Sequence, residues 1–126
     1  MRSLPTRAFT LAALLLAATG TVARADGDAT AGKEVFKKCA VCHATQAGQN
    51  KVGPSLAGVV GRKAGTVPNY SYSAANKDSG LTWDEATLDK YLENPRGVVP
   101  NTKMVFPGLK TEKERQDVIA YLETLK

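Results

Sequence analysis

Histidine and cysteine are nearly absent from this chain of 126 residues, which has one of the first and two of the second. Three such side chains fall short of the roughly four ligands of a structural zinc site. The cysteines, Cys39 and Cys42, are so close in sequence that a disulfide between them would close a very short loop and constrain little of the unfolded chain. Aromatic residues make up only 6% of the chain, a poor supply for the core of a small domain, so something else must fill it. No apolar run reaches the roughly 20 residues of a bilayer span. No segment alternates as a strand does, and there are no internal repeats or low-complexity linkers.

The first residues read as a leader. Arg2 and Arg7 precede the uncharged stretch "AFTLAALLLAATG", and Ala23 and Ala25 supply the two small positions of an A-x-A site. This predicts a secretory signal at 1–25, cut after Ala25, with one domain at 26–126 in the periplasm. A retained membrane anchor is the alternative, and it would leave the chemistry unchanged. The leader takes Arg2, Arg7 and Arg24 with it, so the formal charge drops from +5 to +2, with 14 basic and 12 acidic residues remaining. That balance gives no case for nucleic acid.

"DATAGKEVFKKC" is expected to be a helix capped by Asp28, with Gly32, Val35, Phe36 and Cys39 on one face. Glycine weakens a helix, so Gly32 points to close approach by another backbone. From Ala44 to Gly65 the Gly-rich, polar chain reads as loop with at most a turn or two of helix. "SYSAANK" suggests a short helix. "TWDEATLDKYLENP" suggests a longer one, with a capping box of Thr82 and Glu85, a face of Leu88, Tyr91 and Leu92, and a stop at Pro95. "RGVVPNTKMVFPGLK" reads as loop stiffened by Pro100 and Pro107. A last helix has a capping box of Thr111 and Glu114 and a face of Val118, Tyr121, Leu122 and Leu125. The fold class is therefore all-α, three to five short helices with long loops that need something to wrap around.

"CAVCH" places Cys39, Cys42 and His43, the chain's whole stock of these residues, within five positions. In an exported protein C-x-x-C-H is a c-type haem attachment pattern. Two thiols at this spacing can each add to a vinyl group of the porphyrin, and the adjacent imidazole can bind the iron. A thioredoxin-like C-x-x-C would need a strand before it and a helix after, the reverse of the order here. Haem also supplies the apolar body that the core lacks.

A second axial ligand cannot be histidine. After the initiator the only methionine is Met104, in "PNTKMVFPG". A lone methionine usually fills core space, but a thioether in a rigid loop suits the open iron face. Lys103 next to it, or an open site, is the rival.

The motifs "GKEVFKKCAVCH", "VGPSLAGVVGRKAG", "YSYSAANK", "LTWDEATLDKYLENP", "PNTKMVFPGLK" and "DVIAYL", in this order, resemble class I cytochrome c in its mitochondrial and bacterial cytochrome c2 branch. The resemblance covers nearly all of the chain after the leader. It implies one covalently attached haem c, with Cys39 and Cys42 as thioether cysteines and His43 and Met104 as axial ligands. It implies that the Pro54 carbonyl accepts the His43 ring N–H, and that Arg62, Tyr72 and Trp83 bond the haem propionates. Asn76, Tyr91 and Thr102 would form a polar network with buried water near Met104, and Phe106 would shield the haem edge. Gly32 and Phe36 would pack against Val118 and Tyr121 where the N- and C-terminal helices cross. Without the resemblance, Trp83 and Tyr91 read as core and Arg62 as a surface cation. Asn101 stands where the family commonly has Gly; Asn tolerates left-handed backbone better than most residues.

The function implied is a soluble one-electron carrier and not an enzyme, working as a monomer. Its partners would be redox proteins: a bc1-type donor and an oxidase, reductase or reaction-centre acceptor. Lys37, Lys38, Lys51, Arg96, Lys103 and Lys110 are candidates for a basic rim that steers acidic partners. A haem peroxidase or gas-binding sensor with a labile methionine ligand is the alternative.

Overall fold

The computed structural model describes residues 26–126; the leader assigned to 1–25 lies outside the described residues. Five helices follow in chain order: α1 (Ala29–Ala40), α2 (Ala74–Lys77), α3 (Glu85–Glu93), α4 (Pro95–Val98) and α5 (Glu112–Glu123). Among the described residues the only β-type pairing is an isolated antiparallel bridge between Lys63 and Thr82. The all-α class and the crossing of the first and last helices are as expected.

The Asp28 carboxylate caps α1, accepting from the amides of Thr30 and Ala31. A Cβ on Gly32 would lie 1.9 Å from the carbonyl oxygen of Asp117 in α5. The missing side chain therefore lets two backbones touch. One turn on, Phe36 packs its ring against Tyr121, centroids 5.1 Å apart. Burying Phe36 in this seam contributes about 2 kcal/mol. Asp117 closes the end of the seam: it accepts from the Asp28 amide at 2.9 Å and pairs with Lys113 at 2.8 Å.

The other expected boundaries shift in detail. Thr82 does not cap α3; Asp84 does, accepting from the Thr87 amide at 2.8 Å, while Thr82 is used in the bridge to Lys63. Thr111 precedes α5 as expected, but its hydroxyl makes no capping bond. Pro95 follows the end of α3 and also begins α4, where the missing N–H of a first-turn proline costs nothing. That puts Pro95–Val98 in helix where a loop was expected. The stretch from 44 to 65 holds no helix. Asn101 takes φ 65°, a left-handed geometry that Asn tolerates better than most residues.

Arg115 ties α5 to its neighbours. It is buried, bonds Asp89 of α3 at 2.8 Å, and donates to the carbonyls of Leu109 and Lys110. With the amide of Leu109 bonded to the Leu92 carbonyl at 2.7 Å, the loop after α4 is returned to α3 and stretched across one side of the core. No helix among the described residues is long and apolar enough to cross a membrane.

Candidate haem site

The loops and helices enclose a cavity of about 400 Å³. Helix α1 delivers Cys39 to it. The chain then turns back, with the amides of Cys42 and His43 both bonded to the Cys39 carbonyl, so both thiols and the imidazole line the same space. Both cysteines are free and partly buried. Burial pushes the Cys39 thiol pKa up, against the smaller opposing pull of Lys38, so it stays protonated at neutral pH.

His43 is held from behind. Its Nδ1 lies 2.7 Å from the Pro54 carbonyl oxygen, so Nδ1 carries the proton and Nε2 is left with its lone pair. Burial pushes the imidazole pKa down; Arg62 and Lys51 add to this, and the bond to Pro54 opposes it. The ring is thus neutral at neutral pH, the state a metal ligand needs. A Cβ on Gly53 would sit 2.3 Å from His43 Cε1, so only glycine admits the ring there.

Two short backbone contacts place the first of the polar groups. The amide of Trp83 bonds the Arg62 carbonyl and the amide of Gly61 bonds the Trp83 carbonyl, which sets Arg62 beside Trp83 at the cavity. Trp83 is buried, its ring 4.7 Å from that of Tyr91. Tyr72 accepts the Val67 amide at 3.0 Å. The Tyr91 hydroxyl lies 3.6 Å from Met104 Sδ and also bonds Thr102. Burial pushes the Tyr91 pKa up, so the hydroxyl remains a donor. All twelve residues named from the sequence line this cavity, Phe106 included.

Among the described residues, two buried side-chain atoms, Arg62 Nε and Asn76 Oδ1, have no hydrogen-bond partner. Arg62 donates through Nη1 to Ala57, and burial pushes its pKa down, yet a guanidinium stays charged. A half-buried cation whose Nε–H is buried and unused fits an anionic group such as a carboxylate. Free paired thiols, a neutral imidazole, a thioether and an apolar wall that includes Leu88, Leu92, Val118 and Leu122 complete the fit to a haem.

A family model described as cytochrome c matches residues 29–126. The chain belongs to the cytochrome c family. It is 59% identical over 105 residues to a cytochrome c2 of Rhodomicrobium vannielii, covering 81% of this chain and 82% of the relative. To a cytochrome c of Euglena viridis it is 52% identical over 101 residues, covering 79% and 99% respectively. Among solved structures, cytochrome cH from Methylobacterium extorquens superposes with a TM-score of 0.74 at 52% identity, covering 78% of this chain and 99% of that one. As a member of the family, the chain carries covalently bound c-type haem, with Cys39 and Cys42 in the C-x-x-C-H pattern, and is an electron carrier, not an enzyme.

Several residues that shape the site were not singled out from the sequence. Gly53 was seen only as part of a family motif. Ser55 is buried and ties its loop together, its amide bonded to Asn50 and its hydroxyl to the Gln46 carbonyl. Tyr70 lines the cavity. The repeated tyrosines of "YSYSAANK" were the only signal for Tyr70, and nothing in the periodicity marked Ser55.

Proposed function

We propose that the mature chain, 26–126, is a soluble periplasmic one-electron carrier working between membrane redox complexes, with His43 and Met104 as the axial ligands. The observation that carries this is the pairing of a His43 ring whose Nδ1 is occupied by Pro54 with a Met104 thioether on the same cavity. Cys39 and Cys42 would hold the haem through thioether bonds. When bound, the haem supplies an iron that alternates between ferrous and ferric states. Pro54 fixes the imidazole and raises its basicity. Arg62, Tyr72 and Trp83 offer donors to the propionates, and the unused Arg62 Nε supports this. Asn76, Tyr91 and Thr102 form the polar side of the methionine pocket. Phe106 covers the edge of the cavity, and the buried leucines and valines keep water out, which favours the ferrous state.

The test is a spectroscopic redox titration of the haem-loaded protein. A single one-electron transition, with a weak red sulfur-to-iron band in the ferric form that Met104→Ala abolishes, is the expected result. A ferric spectrum with no such band, together with rapid cyanide binding, would replace the carrier reading with a haem enzyme or gas sensor.

A further inference from the structure

The loop that bears Met104 has few polar ties to the rest of the molecule. Among the described residues, from Thr102 to Gly108, they are the Tyr91 hydroxyl, on Met104 Sδ and Thr102, and the side chain of Lys103. The amides of Thr102 and Met104 bond only within the loop's own turn, to the Val99 carbonyl and the Thr102 hydroxyl. Lys103 reaches out of the loop. Its Nζ lies 4.4 Å from the centroid of the Tyr70 ring and donates to the Ser71 carbonyl. An ammonium set over an aromatic face while bonding a carbonyl is held by two attractions at once.

Tyr70 is itself anchored on its far side. Its hydroxyl donates to the Val52 carbonyl at 2.7 Å, two positions before Pro54. Its ring meets Tyr72 edge-on at 4.7 Å. Asn69 before it takes φ 60°, the left-handed turn that brings Tyr70 into this position. Asn50 donates to the Pro68 carbonyl at 3.0 Å, a second tie between the same two loops. One side chain therefore spans from the loop behind His43 to the loop bearing Met104.

We propose that Tyr70 and Lys103 are positioning residues, a latch that holds the Met104 loop closed against the His43-side loop. Neither touches the iron. Lys103 is exposed, but its ammonium is engaged by the Tyr70 ring and the Ser71 carbonyl, so it acts neither as a ligand nor as a free member of the basic rim. The latch rests on the reading of Met104 as a ligand only for its effect on the iron; its effect on the loop stands apart from that reading.

The experiment uses the ferric haem-loaded protein and two readouts: hydrogen exchange of the Thr102 and Met104 amides, and the rate at which added imidazole binds the iron. Tyr70→Leu and Lys103→Gln should each speed both by about tenfold, while exchange in α1 and α5 stays as in the parent. Lys103→Arg, which keeps a cation and donor, should restore the parent behaviour. Tyr70→Phe, which keeps the ring but loses the bond to Val52, should fall between. The double variant should be faster than either single one by less than the product of their effects, because the two share the Lys103–Tyr70 contact. If Tyr70→Leu folds poorly, Lys103→Gln and its Arg rescue decide the matter. Unchanged loop exchange in Lys103→Gln, or additive effects in the double variant, overturns the latch. Rapid imidazole binding in the parent, with loop exchange still speeding in the variants, removes Met104 as a ligand and leaves the latch standing.

Discussion

Gly53 shows how a single absent side chain can decide ligand geometry. The imidazole of His43 lies flat in the space that any Cβ at position 53 would fill. Gly53→Ala therefore forces either the ring or the loop to move, and the bond from Nδ1 to Pro54 is what stretches. The expected outcome is a holoprotein with a shifted midpoint potential and about 2 kcal/mol less stability, checked by redox titration and denaturant melts. An unaltered potential would mean that the loop yields and the ring does not. The C-x-x-C-H pattern was legible because its chemistry is local: three residues in five positions do the work. Gly53 was not, since nothing local tells a glycine that a ring lies against it from ten positions away.

Among the elements, the α1–α5 seam carries the clearest pH dependence. Lys113 and the Asp28 amide together hold the Asp117 carboxyl below its ordinary range. A depressed folded pKa contributes stability that is full above the unfolded carboxylate range and is lost as pH falls through the folded value. Acid unfolding should thus begin just below the ordinary range for aspartate. Asp117→Asn should flatten that part of the stability profile and lower stability at neutral pH; pH-resolved denaturant melts would show it. An unchanged acid limb would assign it to other carboxylates. The crossing of these helices was foreshadowed by Gly32, whose helix penalty had no local reason. The caps were harder to place. Thr82 and Asp84 both look like caps, and the choice between them was made by the distant bridge to Lys63, which no local pattern encodes.

At the scale of the whole molecule, more of the surface charge is paired within the protein than the sequence suggests. Lys37 pairs with Glu34 and Lys38 with Glu114, all four exposed or partly so. Lys51 and Lys110 each donate to a backbone carbonyl. Steering of an acidic redox partner should accordingly be present but shallow. Association should slow as salt rises, and Glu34→Gln with Glu114→Gln should raise the low-salt rate by about threefold. Stopped-flow electron transfer over a range of ionic strength measures both, and a salt-independent rate would sink the steering idea. That the lysines exist was plain in the sequence; which of them face a glutamate is a property of packing, because Lys38 and Glu114 lie 76 positions apart.

The packing at the start of the described chain has a consequence for the order of events in the life of the protein. Gly27 is pressed against the Gln116 carbonyl, and the Asp28 amide is bonded to Asp117, so the residues just beyond the proposed cut after Ala25 are fixed to α5. A peptidase needs free, extensible backbone on either side of the bond it cleaves. Maturation should therefore come before the two terminal helices dock, and a chain that folds first should become a poor substrate. Gly32→Ala, which blocks docking, should be cleaved at least as fast as the parent when each is presented with the proposed leader, residues 1–25, attached. Faster cleavage of the docked parent would reverse the sequence of the two steps.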